Sequence, residues 1–303
     1  MSKTNKTIIP PALKKGDQVA IIATARKVSL EFLLKAEETL SSWGLVCIRG
    51  ENLMKEHHQY AGTDRERLED LQWAMDDIKI KAIICFRGGY GSVRLLKEIN
   101  AEQLLKSPKW IIGYSDITAL HLFTHAQINI ASIHGTMPIN FSENTSEALN
   151  TLKALLFGDK YEISAAGHSN NRFGVAKAEI IGGNLAIIQS LMGTPFEIET
   201  KGKILFLEDI DEYLYNIDRM MWTLKLSGKL DQLAGLIVGG MTDMNDNDIP
   251  FGASAYDSIK EKVKEYDYPV CFNFPSGHVS DNRAIPFGIP LKLAIDKKGV
   301  SLK

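Results

Sequence analysis

Lys109-Trp110-Ile111-Ile112-Gly113-Tyr114-Ser115-Asp116-Ile117-Thr118 decides how this chain is read. A short apolar run ends in glycine, a tight turn carries a lone serine, and helical spacing follows over 117–127. A serine on a strand-to-helix turn stands clear of the backbone, with neighbouring amides gathered at the helix start. That placement suits a nucleophile that meets a carbonyl and has the resulting oxyanion stabilised. The general G-x-S-x-G elbow asks for glycine two residues after the serine, where Ile117 stands. The competing reading is a Ser-Asp helix cap, because both residue types satisfy orphan amides at helix N-termini.

Outward from that stretch, apolar β-branched runs alternate with helical patterns. Strands are predicted at 18–23, 45–48, 81–86, 110–113 and 130–133, and helices at 30–43, 64–77 and 93–99. Such alternation argues for parallel strands in an α/β layer fold, with function at their carboxyl ends. From about Gly158 to Phe173 the rhythm breaks into small and polar residues. The expected division is therefore 1–157, an N-terminal parallel-sheet domain of the flavodoxin or Rossmann-like kind that carries the nucleophile; 158–175, a linker; and 176–303, a mixed, more strand-rich C-terminal domain. In that last part strands are predicted at 177–181, 203–207, 233–238, 270–274 and 291–295, and helices at 185–192, 215–227 and 255–265.

The 303 residues can bury one large core or two ordinary ones. A hydrophobic fraction of 45% and a charged fraction of 24% are those of a globular protein. The net charge of −2 provides no bulk attraction to nucleic acid or to an anionic membrane. Cys47, Cys85 and Cys271 lie singly, which argues against a disulfide framework or a zinc site. The opening residues lack an apolar signal-like segment, and no run reaches transmembrane length. A reducing, cytoplasmic setting is the expectation.

Several constellations bear on chemistry. Gly88-Gly89-Tyr90-Gly91 lies between a strand and a helical pattern, where bare amides can converge on an anion. It lacks the Gly-Lys-Ser/Thr ending of a P-loop, and the first strand runs into Ala23-Thr24-Ala25-Arg26 with no dinucleotide-binding glycines. An ordinary turn needing positive φ is the alternative. His121 and His125 share a helix face, but Leu122 stands where a zincin needs glutamate, so packing or partial exposure is the preferred role. The loop Asp243-Met244-Asn245-Asp246-Asn247-Asp248 lacks the glycine and glutamate of an EF-hand and reads as a solvated turn.

A serine nucleophile needs a base and a group to orient it. His278, in the polar loop Pro275-Ser276-Gly277-His278, and His134, at a strand end, both qualify. Glu208 ends a predicted strand at the head of an acidic run with Asp209, Asp211 and Glu212, for which solvated charge is the plain alternative. Pattern alone leaves the choice between His278 and His134 open.

Together these segments resemble the LD-carboxypeptidases of serine peptidase family S66, which includes muramoyl-tetrapeptide carboxypeptidases and microcin C immunity peptidases. The resemblance rests on Leu13-Lys14-Lys15-Gly16-Asp17-Gln18-Val19-Ala20, Arg87-Gly88-Gly89-Tyr90-Gly91 and Gly113-Tyr114-Ser115-Asp116-Ile117-Thr118. It continues through His134-Gly135, Gly182-Gly183-Asn184-Leu185, Leu207-Glu208-Asp209 and Gly277-His278, in order over nearly the whole chain. It implies a triad of Ser115, Glu208 and His278 and an oxyanion hole from the backbone amides of Gly89 and Asp116. It also implies a murein tetrapeptide as substrate, cut before its terminal D-alanine, a role in recycling cell-wall peptides, and a homodimer. No metal or organic cofactor is called for.

Carboxypeptidase action also needs a cation or amide cluster for the free carboxylate. Arg87, which opens the glycine turn, and Tyr90 within it are the candidates for substrate contact, with a structural ion pair as the other role for Arg87. The nearest rival is a microcin-type enzyme with the same triad and an acyl-sulfamoyl nucleotide peptide as substrate. It would need an aromatic platform for the base, whereas Trp43, Trp73, Trp110 and Trp222 all fall in core-like patterns. A two-domain binding protein that holds an anion without reacting is the rival from another class.

Overall fold

The computed structural model describes residues 6–303. Five parallel strands, β1 (Gln18–Ile22), β2 (Val46–Arg49), β3 (Ile80–Cys85), β4 (Trp110–Gly113) and β5 (Ser132–His134), form the first sheet. Their order is 5-4-3-1-2. The central runs of β1, β3 and β4 are buried because helices cover both faces, which is why they read as continuous apolar stretches. The connection from β1 leaves toward one edge and that from β3 toward the other, so a topological switch point opens at the carboxyl ends of these two neighbours.

The second sheet contains β6 (Ile163–Ala165), β7 (Gly174–Asn184), β8 (Ile204–Ile210), β9 (Gly235–Thr242) and β10 (Val270–Cys271). After them come β11 (Ile285–Phe287), β12 (Pro290–Asp296) and β13 (Gly299–Leu302). The order 10-9-8-7-12-13-6 is parallel from β7 to β10 and antiparallel from β7 to β6, the mixed sheet expected of this half. Two details bear on how the halves join. The stretch 158–175 includes β6, the edge strand of the second sheet. β11, deep within 176–303, leaves that sheet and pairs antiparallel with β5 of the first.

An apolar cluster runs without interruption from one half to the other. Ile117, Leu120 and Phe123 of the first half share it with Ile181, Leu185 and Ile188 of the second. The seam is thus a packed surface.

Local signals account for the helices. Thr63 and Glu66 close a reciprocal capping box on helix Asp64–Asp76. Its far end has no basic residue of its own. There the buried Lys109 amine donates to the carbonyls of Ala74, Met75 and Asp77 at 2.9, 2.7 and 2.8 Å. Burial pushes that amine down to about 8. The helix expected at 93–99 is instead two 3-10 turns, Ser92–Arg94 and Leu96–Glu98. The Ser92 amide, which would open a helix, donates to the Asp116 carboxylate at 2.8 Å and ties the turn to the next strand's exit.

Candidate active site

Ser115 stands two residues past β4 and holds φ +62, a left-handed conformation costly for a residue with a side chain. Its hydroxyl is half-buried and makes no hydrogen bond among the described residues. Neither Ser115 nor Asp116 caps the helix Thr118–Phe123, so the helix-cap reading of this pair fails. Asp116 faces the other way. It is buried, and burial raises its carboxyl against the hydrogen bonds from Ser92 and Gly91 and the charge of Arg67. One carboxylate therefore locks the serine turn to the glycine turn.

The two turns touch. A Cβ on Gly88 would stand 3.0 Å from Ser115 Cβ, 3.1 Å from its Oγ and 3.2 Å from the Asp116 amide nitrogen. The approach at Gly88 is tight for any side chain, and Gly89 and Gly91 hold φ of +116 and +146. The Asp116 amide nitrogen thus lies beside both the serine and the glycine turn.

The second half contributes an acid–imidazole pair. Glu208 lies in β8 where its register with β9 shifts, between Leu207 and Asp209, and such a bulge re-aims a side chain. It is fully buried. Its Oε2 accepts from His278 Nδ1 at 2.6 Å and from the His278 backbone N–H at 3.2 Å. A carboxylate only accepts, so Nδ1 carries a proton, and in the neutral ring Nε2 keeps its lone pair. Burial opposes charge on the imidazole, but the Glu208 charge and hydrogen bond, with Asp209 behind them, raise its pKa above the ordinary value.

The acidic run divides in two. Glu208 and Asp209 are buried, whereas Asp211 is exposed and Glu212 half-exposed, so solvated charge holds only for the latter two. Asp209 is pushed up to about 7 by burial and the Glu208 charge. It accepts from Asn184 Nδ2 and the Ala186 amide, a supporting role that spacing did not reveal.

The loop that carries His278 runs from β10 in one sheet to β11 in the other and is pinned to both. Gly240 N–H donates to Ser276 O, and Thr242 Oγ1 to His278 O. From the first half, Asn144 and the Thr145 amide both donate to Ser280 O. Gly277, at φ +107, packs so closely that a Cβ there would come within 2.7 Å of Glu208 Cβ. As a result the His278 ring lies edge-on to the Tyr114 ring, centroids 4.8 Å apart, beside the serine turn.

The rival His134 is completely buried, and neither ring nitrogen has a partner among the described residues. Burial, then the neighbouring His121 and His278, holds it well below its ordinary pKa, and no carboxylate orients it. His121 is also packed, its nitrogens paired with Ser132 Oγ and Gly113 O at 2.9 Å each. Arg87 is half-buried, with one long contact to Lys27 O at 3.4 Å, and forms no ion pair among the described residues. Tyr90 is exposed, its ring 6.2 Å from that of Tyr60. Trp222 departs from its expected core position: it is 41% exposed, on a helix face whose apolar side is met by other residues.

Comparison with known proteins shows the family of the chain. The family model of the LD-carboxypeptidase N-terminal domain matches residues 19–135, and that of the C-terminal domain matches 177–293. A "Probable murein peptide carboxypeptidase" of Bacillus subtilis is 34% identical over 96% of this chain and 95% of its own length. A solved muramoyltetrapeptide carboxypeptidase from Oxalobacter formigenes superposes with a TM-score of 0.84 at 27% identity, covering 94% of this chain and 97% of that one. MccF in complex with glutamyl sulfamoyl guanosine shares the fold, with a TM-score of 0.86 at 21% identity over 99% and 98% of the two chains. The chain belongs to the LD-carboxypeptidase family S66 and is a hydrolase of the serine carboxypeptidase type.

Proposed function

We propose that this protein releases the terminal D-alanine from murein tetrapeptides through an acyl-enzyme on Ser115, with Glu208 and His278 completing the triad. The observation that carries this is the 2.6 Å Glu208–His278 pair held beside a serine turn whose hydroxyl is free. His278 Nε2 takes the Ser115 proton as Oγ attacks the scissile carbonyl. The Gly89 and Asp116 amides hold the oxyanion, and Glu208 stabilises the imidazolium. His278 then protonates the departing amine, and water activated by the same ring releases the acyl group.

The substrate assignment draws on what the Bacillus and Oxalobacter relatives are called. A cytoplasmic place in cell-wall peptide recycling, and a homodimer, belong to the same proposal. Three unpaired cysteines, and the fact that no described helix is long and apolar enough to cross a membrane, agree with it.

Product analysis with tetrapeptides that differ only in the chirality of the last residue is the test. Release of D-alanine and not L-alanine is expected. Hydrolysis of an acyl-sulfamoyl nucleotide peptide in place of the tetrapeptides would favour the microcin-type activity, and inertness toward all of them would overturn the peptidase reading.

A further inference from the structure

At the switch point of the first sheet, two arginines stand beside the glycine turn without counter-charges. Arg26 lies just past β1 and Arg87 just past β3, the neighbouring strands that pair through Ile22 and Cys85. Crevices at such a point are where ligands enter open α/β sheets.

The Arg26 side chain lies across the turn: a Cβ on Gly89 would meet its Cδ at 2.5 Å and its Nε at 2.8 Å. Arg26 is exposed and Arg87 half-buried, and neither has a carboxylate within 4.0 Å among the described residues. Their neighbours differ: Arg67 and Arg94 both pair with Asp64. Burial and then the like charge of Arg26 press Arg87 below its ordinary pKa, which marks the two guanidiniums as mutually repelling. Two cations held together in this way make a site for an anion.

The distance suits one anion in particular. A chain spans at most ~3.6 Å per residue, so the carboxylate of a C-terminal residue lies within about one residue's length of the bond that releases it. Gly88 packs against the serine turn, and the Arg26 side chain lies against Gly89, the next residue. We infer that Arg26 and Arg87 form the site that takes the substrate's α-carboxylate and so restrict cleavage to the last peptide bond. Arginine suits this role because its planar fork grips a carboxylate through two parallel hydrogen bonds. The identity of the anion rests on the peptidase reading proposed above, whereas the preference for a free carboxylate does not.

The test measures binding, so it does not depend on turnover. In a Ser115→Ala background, affinity is measured by calorimetry for a tetrapeptide ending in D-alanine and for the same peptide ending in D-alaninamide. The acid is expected to bind about 10- to 100-fold tighter, the size of one or two charge-assisted hydrogen bonds. Adding Arg26→Gln or Arg87→Gln should reduce that preference to within about threefold, and Arg26→Lys should retain part of it. Thermal melts establish that each variant is folded.

A preference unchanged in both glutamine variants would overturn the inference, as would equal binding of acid and amide before they are made. Lack of binding by either peptide would do the same. Turnover by the unsubstituted protein is followed separately. An inert protein whose acid preference still depends on the arginines would remove the peptidase reading and leave the carboxylate site standing.

Discussion

The two ends of this site are made in different ways. The serine end is short-range: strand, turn and helix are contiguous, and the nearest support, the Asp116–Ser92 contact, spans only 24 residues. The histidine end is long-range. Glu208 and His278 are 70 residues apart, and their meeting depends on a bulge in β8, on Gly277 and on a loop pinned between two sheets. A nucleophile can thus be prepared by local backbone strain, whereas the base that activates it must be delivered by tertiary structure.

The sharpest test of this contrast removes each end in turn. Ser115→Ala should lower turnover on the order of 10⁴-fold while the melting temperature stays near that of the parent, because the turn rests on backbone and on Asp116. A fall of less than about tenfold in D-alanine release would break the comparison at its local end.

Glu208→Gln should lower turnover on the order of 10³- to 10⁴-fold and carry a signature in pH. The base works as neutral imidazole, so activity rises as pH climbs through the raised His278 pKa. Without the anion that pKa falls, and the acid limb of the profile moves to lower pH. The stability effect has the matching sign. A raised pKa in the folded state contributes stability that is fully present below the unfolded value of about 6.5 and lost as pH rises through the folded one. The Gln variant should lose that contribution, as melts across this window would show; an unmoved acid limb would count against Glu208.

A smaller effect is expected where the long-range end is merely distorted. Gly277→Ala places a Cβ against Glu208 at a positive-φ position and should cost about 1–3 kcal/mol of stability. Misplacing the imidazole by about 1 Å should cost turnover on the order of 10²-fold. Unchanged kcat with a lowered Tm would mean that the loop has freedom the packing denies it.

The smallest effect on chemistry is expected far from both ends. Lys109→Met leaves the buried carbonyls of Ala74, Met75 and Asp77 without their donor and should destabilise by about 1–3 kcal/mol, read in a denaturant titration. Turnover below the transition should stay within about twofold, since Lys109 stands at the start of β4, at the opposite end of the strand from the serine turn.

The same division explains what could be read before coordinates. The strand at 110–113, the serine turn and the glycine turn were legible because each is a local pattern with its own punctuation. The spacing at 93–99 reads as one helix, whereas the structure breaks it into two 3-10 turns whose start is held by Asp116, 24 residues on. Trp222 followed the apolar spacing of its helix, yet it stays 41% exposed beneath the Lys262 and Lys225 amines. β11 was invisible because three residues carry no periodicity, and the strand exists only through its pairing with β5.

By itself, the amino-acid order determined the α/β layering, the strained serine and the residue types able to do acyl chemistry, since these follow from hydrophobic period and turn stereochemistry. Spacing left His278 and His134 open, and the resemblance named His278 and Glu208; only the tertiary structure supplied the reason, that His278 and not His134 meets a carboxylate and that Glu208 and Asp209, unlike Asp211 and Glu212, are buried. Charge and proton location depend on burial and on partners distant in the chain, and neither is a property of local sequence.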